Sequence, residues 1–344
     1  MVIFIVTLLT VSSVFAVRPI TWANFKAQPI PNFATRLAGQ DLVDYVNFIQ
    51  PFFQADYTKL SEAEEKAHLM SVQFMAAPEE RAEEIVIAGE IPQSFDARAN
   101  WPECKSIGMI RDQSACGSCW TVSAASAMSD RLCIQSKGGI KAILSAADIL
   151  SCCAECGYGC QGGWPIEAWR YLVREGVCTG GAYGQENVCK PYPFYPCGHH
   201  EGQKYHGPCP RELFKTPECS KQCNGPYNKT YEEDKFFGKS AYYLPNSMAA
   251  IQKEIMTNGP VQAVMKTYQD FSFYKGGIYM HAAGALTGAK SVKLIGWGSE
   301  NGVPYWLVAN TWNSDWGENG YFRILRGTDE CGIESQVVAG MMRV

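Results

Sequence analysis

The chain has 344 residues, of which 47% are hydrophobic, 12% aromatic and only 19% charged. That balance supports a large folded core and excludes an intrinsically disordered protein. A formal net charge of -4, without a long basic run, leaves no electrostatic footprint for nucleic acid.

Residues 1–16 form an apolar run ending in Val14-Phe15-Ala16, small enough at the end for signal-peptidase cleavage. The run is too short to span a bilayer, and no later segment reaches spanning length, so the expectation is a secretory signal peptide and no membrane span. A cysteine-free stretch follows, residues 17–90, containing the charged, helix-prone run Ser61 to Ala67. A leader without cysteines ahead of a cysteine-rich body reads as a removable pro-segment, with an ordinary N-terminal domain as the alternative. The body, residues 91–344, opens at Ile91-Pro-Gln-Ser-Phe-Asp96.

All 15 cysteines lie between Cys104 and Cys331, so a secreted body would carry a disulfide framework. The odd count leaves at least one thiol unpaired, either buried and inert or reactive and used. Within the body, Val122, Ala125, Met128 and Leu132 fall at helical spacing behind Cys119, which predicts a helix starting near that cysteine. Ser145-Ala-Ala-Asp148 is a capping signal for a second helix running into Cys152-Cys153. Pro165 and Gly176 suit the first turn and the end of a third. Cys178 to Gly238 is rich in Pro, Gly and Cys and lacks periodicity. The runs 276–280, 292–298, 305–309 and 321–325 are short and β-rich. Helices followed by strands predict an α+β fold with two lobes and a cleft between them.

A thiol is a weak nucleophile until ionised, and a helix N-terminus favours the thiolate through its free N–H groups and dipole. Cys119 has that placement. Taken alone, the C-x-x-C of Cys116 and Cys119 reads equally well as a nucleophile segment or as a structural pair, both framework cysteines or a redox couple. The neighbouring residues decide between these. Gln113-Ser-Ala-Cys116-Gly-Ser-Cys119-Trp120 resembles the nucleophile segment of papain-family cysteine peptidases. Gly159-Cys-Gln-Gly162-Gly163 and Ala309-Asn310-Thr311-Trp312-Asn313 resemble two further motifs of that family, in the same order. Cys197-Gly-His199-His200, closing at Cys209, is similar to the occluding loop of the cathepsin B branch, placed at about 197–209.

The resemblance implies a papain-like fold, helical in one lobe and β-rich in the other, and a cysteine-type endopeptidase or peptidyl-dipeptidase without a cofactor. It implies Cys119 as nucleophile, Gln113 and the Cys119 N–H as the oxyanion hole, and Asn310 orienting the general base under Trp312. Gly162 and Gly163 would let a substrate backbone approach, and His199 and His200 would hold a substrate's C-terminal carboxylate. Six disulfides follow from it: Cys104–Cys133, Cys116–Cys160, Cys152–Cys219, Cys153–Cys156, Cys189–Cys223 and Cys197–Cys209. Cys119, Cys178 and Cys331 remain, with Cys331 resembling a buried family thiol. The implied partners are peptide or protein substrates, the protein's own pro-segment and cystatin-like inhibitors. A monomer with an extracellular or lysosomal destination is implied as well.

One position departs. The family's catalytic histidine stands a few residues before a strand ending in Gly-Trp-Gly; here that stretch is Gly288-Ala289-Lys290-Ser291, leading to Gly296-Trp297-Gly298, and Lys290 takes the histidine's place. A base that takes a thiol proton and later returns one to an amine works best near the ambient pH, and histidine titrates at about 6.5 against about 10.4 for lysine. An ammonium can draw out a thiolate by Coulomb attraction, but it accepts no proton unless burial lowers its pKa by several units. The expectation is therefore impaired or absent hydrolysis, or a non-catalytic cleft that binds peptides. His281, nine residues earlier, reads as having no catalytic duty. Gln336 stands where some cathepsin B relatives carry a pocket glutamate. Asn228-Lys-Thr230 is a glycosylation sequon.

Overall fold

The computed structural model describes residues 20–57, 67–75, 80–83, 85 and 89–344. The signal-peptide segment and residues 61–66 of the charged run lie outside the described residues.

The helical lobe is built around one helix buried on every side, α3 (Cys119–Gln135), numbered after two leader helices, α1 (Trp22–Lys26) and α2 (Gly39–Ile49). Alanines and serines dominate α3, and these small residues let neighbouring chain pack closely all round. The burial exceeds what the Val122-to-Leu132 stripe implies, because Asp130 and Arg131 are also fully enclosed. Each is paired: Asp130 with Lys293 at 2.7 Å, and Arg131 with Glu254 at 2.7 Å. Against α3 lie α4 (Ala146–Cys152) and α5 (Pro165–Arg174). Ser145 caps α4 by accepting the Asp148 N–H at 3.0 Å, Pro165 opens α5, and Gly176 leaves it with φ +71°.

The second lobe is a nine-stranded sheet: β1 (Phe53–Ala55), β2 (Phe95–Asp96), β3 (Tyr242–Tyr243), β4 (Val261–Tyr268), β5 (Tyr274–Tyr279), β6 (Leu286–Glu300), β7 (Val303–Ala309), β8 (Tyr321–Leu325) and β9 (Val337–Ala339). Its order is β1-β5-β8-β7-β6-β4-β9-β3, with β2 on β6; β5 and β8 run parallel and the remaining pairs antiparallel. The longest strand, β6, carries Lys290 and Ser291 into the interface with α3. One further helix, α6 (Met248–Asn258), bears Glu254.

The leader contributes to this lobe. Leu42, Val43 and Val46 of α2 join the core beneath Phe271 and Tyr279, and β1 extends the sheet along β5. There Gly277 has to be glycine: a Cβ would lie 2.5 Å from the Phe52 carbonyl oxygen.

Between the lobes' elements, residues 178–238 contain no named helix or strand and are held by side chains and disulfides. Six disulfides close Cys104–Cys133, Cys116–Cys160, Cys152–Cys219, Cys153–Cys156, Cys189–Cys223 and Cys197–Cys209, the same pairs the resemblance implies. Cys119, Cys178 and Cys331 are free thiols. Cys178 is fully enclosed, so it is out of reach of another chain; Cys331 is partly exposed rather than buried. Among the described residues, Cys178, Cys189 and Asp234 form one group of metal-ligand type, but the Cys189 sulfur is committed to Cys223.

Candidate active site

Cys119 is the first residue of α3, and the Cys116–Cys160 disulfide together with the Gly117 N–H donated to the Cys160 carbonyl at 2.7 Å fixes the turn before it. Its sulfur accepts the Ser291 N–H from β6 at 3.4 Å. Burial pushes the Cys119 thiol up; the Lys290 charge and the N–H groups of Ser291, Trp120 and Cys119 pull in the opposite direction without overcoming it. Beneath the leader, Cys119 is therefore held as the neutral thiol.

Lys290 is fully buried. Its Nζ donates to Gln113 Oε1 at 2.5 Å, to Thr311 Oγ1 at 2.9 Å and to the His68 carbonyl at 3.4 Å, and it lies 4.3 Å from the centre of the Trp312 ring. Burial is the main cause that lowers its pKa from 10.5 to about 7, with Cys119 and Asp112 acting to raise it. The three oxygen acceptors and the aromatic face favour the ammonium, so the site both desolvates this amine and surrounds it with groups suited to its charged form.

The expected partnership with Asn310 is not made. Asn310 Oδ1 accepts the Thr311 N–H at 2.8 Å, and its buried Nδ2 has no hydrogen-bond partner. Lys290 donates instead to another amide oxygen, its four-carbon stem carrying the charge onward to Gln113. Thr311, which the sequence reading did not single out, takes over: its hydroxyl lies 2.5 Å from Gln113 Oε1 and 2.9 Å from Lys290 Nζ.

Gln113 is oriented by the same pair. With Oε1 facing Lys290 and Thr311, its Nε2 donates to the Cys116 carbonyl at 2.7 Å and to the His68 carbonyl at 3.2 Å. The leader thus places a carbonyl where the Gln113 donor points. Trp312 covers Lys290 and also donates from Nε1 to His68 O at 3.3 Å. The His68 imidazole is another residue missed in the sequence, where nothing in the leader marks it. Burial, followed by the Lys290 and His200 charges, drives its pKa to about 3, so the ring is neutral.

Met70 pairs with Ala289 through both backbone hydrogen bonds, at 3.0 and 2.9 Å, and Phe74 packs edge-on to Trp164. The leader packs closely over Gly162: at φ +121°, its missing Cβ would meet the Phe74 ring at 2.4 Å and Met70 Cβ at 2.8 Å. Gly163 meets different neighbours. A Cβ there would strike the Cys156 carbonyl and the Trp120 ring, parts of the body itself. Gln336 sits buried just before β9, and its backbone carbonyl accepts the Val264 N–H at 3.1 Å.

The loop 197–209 borders a cavity of about 580 Å³ that His68, Asp112, His199, His200, Trp312 and Trp316 help to line. His199 stacks on Tyr205, with ring centres 4.4 Å apart. His200 is already committed to the protein's own carboxylates, Nδ1 at 3.0 Å from Asp315 and Nε2 at 3.4 Å from Asp112. Gripping a substrate carboxylate there requires releasing one of them. His281 belongs to the other lobe, beside Asp270 at 3.2 Å and stacked on Tyr268. Asn228 is exposed in its loop. No helix of the described residues is long and apolar enough to cross a membrane.

Comparison with known proteins agrees with this geometry. The family model described as papain family cysteine protease matches residues 91–341. Cathepsin B-like cysteine proteinase 6 of Caenorhabditis elegans is 49% identical over 332 residues, covering 93% of this chain and 88% of that protein. Cathepsin B-like cysteine proteinase 1 of Haemonchus contortus is 46% identical, covering 92% of each. Among solved structures, procathepsin B S9 from Trypanosoma congolense superposes with a TM-score of 0.73 at 38% identity, over 89% of this chain and 98% of that one.

Proposed function

The chain belongs to the papain family of cysteine proteases, and on that premise we propose that it is a cathepsin B-like zymogen whose mature cleft binds peptides while hydrolysing them poorly or not at all. One observation carries this reading: Lys290 Nζ is bound to Gln113, Thr311 and the His68 carbonyl, and it makes no hydrogen bond to Cys119. A base that does not reach the thiol leaves Cys119 protonated. An ammonium likewise accepts no proton from the water needed to release an acyl group.

The leader, residues 17–90, acts in this reading as a pro-segment that fills the cleft. Its Met70 takes a backbone position on Ala289, and its Phe74 takes the space over Gly162. With it gone, Gly162 would receive a peptide backbone, Gln113 would face its carbonyl, and His199 would stand at the cavity's edge. Residues 1–16, the six disulfides and the exposed Asn228 sequon support passage through the secretory pathway to an extracellular or lysosomal destination. A second reading, residual hydrolysis, is favoured by the lowered Lys290 pKa of about 7, which makes a neutral amine available above that pH.

The test compares wild type, Lys290→His and Cys119→Ala after processing, on a peptide substrate. The expected result is turnover at least about a hundredfold higher in Lys290→His than in wild type, the scale of a missing general base. It should be absent in Cys119→Ala. Wild-type turnover equal to Lys290→His and lost in Cys119→Ala would sink the non-catalytic reading.

A further inference from the structure

Three side-chain donors converge on one oxygen. The His68 carbonyl receives Gln113 Nε2 at 3.2 Å, Trp312 Nε1 at 3.3 Å and Lys290 Nζ at 3.4 Å. A neutral amide oxygen has two lone pairs and needs no buried cation, whereas a carboxylate offers about four acceptor sites and a full charge. Hydrogen bonds to an ionised acceptor are shorter and roughly twice as strong as neutral ones.

The donors are also fixed in direction. Gln113 and Lys290 are fully enclosed. Because an ammonium only donates, the Gln113 amide oxygen has to face Lys290 and Thr311, which leaves the NH2 facing the cleft. The neighbouring acids do not compete for this place. Asp315 is paired with His200, and Asp112 accepts the Ser114 N–H at 2.6 Å and Asn313 Nδ2 at 2.8 Å.

We propose that, once the leader leaves, Lys290, Gln113 and Trp312 form a carboxylate-binding site that captures peptides ending in a free α-carboxylate at the place now held by the His68 carbonyl. This rests on the reading of a peptide-binding cleft and names its ligand class: chain ends rather than continuous chains. The lysine that fails as a base thereby becomes the charge that selects the ligand.

The experiment uses the full chain in the Cys119→Ala background, with a specific protease site placed between Gly89 and Ile91 and then cut, the labelled leader remaining in the sample. Two probes compete for the cleft: the six-residue peptide matching Ala63–His68 as a free acid, and the same peptide as its C-terminal amide. Displacement of the leader gives their relative affinities. The acid is expected to compete about tenfold or more better than the amide, in line with a charged hydrogen bond. Lys290→Met should bring the two within about twofold of each other, since the ion–ion contribution is then gone. Should Lys290→Met fail to fold, Lys290→Gln keeps a polar side chain without the charge and should give the same equalisation. Equal competition by acid and amide on the Lys290 protein overturns the site. So does an acid preference that survives Lys290→Gln and vanishes in a His199→Ala, His200→Ala variant, because the loop then holds the carboxylate. Peptide cleavage by the Cys119 protein, read by mass spectrometry, would refute the non-catalytic reading and leave this comparison standing.

Discussion

Lys290 Nζ lies 2.5 Å from Gln113 Oε1, a contact between a buried amine and the amide that faces the cleft. The lysine makes no hydrogen bond to the Cys119 thiol and holds the amide instead, and through the amide it sets what the cleft presents to an incoming oxygen.

The buried amine gives the closed protein a characteristic pH dependence. Lys290 titrates at about 7 in the folded chain against 10.5 ordinarily, so between these values the unfolded chain holds a proton that the folded one lacks. Stability contributed by this group therefore rises with pH across that window, and below it the cost of burying the ammonium is present in full. Lys290→Met should stabilise the full chain most at pH 6, and its advantage should shrink steadily towards pH 10. Thermal unfolding of both proteins across that range measures the difference; an advantage that grows with pH would contradict the burial argument.

Docking of the leader depends on the absence of one side chain. In Gly162→Ala the new methyl meets Phe74 and Met70 inside van der Waals distance, at a backbone angle that side chains rarely adopt. Overpacking of this kind costs about 1–3 kcal/mol. The leader of the variant should be clipped faster by an added protease while the disulfide-bonded body stays intact. Unchanged clipping would mean that Phe74 is not seated tightly over Gly162.

The join between helical lobe and sheet has its own weak point. Arg131 reaches from α3 to Glu254 at 2.7 Å and to the carbonyls of Pro260, Gly259 and Gly340, at 2.7, 3.0 and 3.0 Å. Glu254→Gln removes the only carboxylate paired with this buried guanidinium among the described residues. Breaking such a pair costs about 3–5 kcal/mol, much more than an exposed one. A loss of that size in the unfolding free energy from denaturant titration is expected, against almost none for Glu167→Gln, whose partner Arg170 is exposed.

Much of the architecture was legible because local chemistry and global fold agree. Ser145 caps the helix it announces, Pro165 begins one, and the β-rich runs after Gly276 all became strands. The spacing around Cys119 located the helix N-terminus. Gly163 was harder. Its neighbour Gly162 and it look alike in sequence, yet one faces the cleft and the other faces Trp120, a difference set by chain direction in space.

Residue order and motifs a few residues long were enough for the family and the two-lobed fold, and they put an amine at position 290. What that amine does was set by packing alone. Gln113, the adjacent Thr311 and Trp312, and the His68 carbonyl come from three separate stretches of chain, and their meeting at Lys290 is fixed by packing. A charge buried where water cannot reach it has to find its partners among the protein's own oxygens. Which oxygens those are is a property of the folded chain.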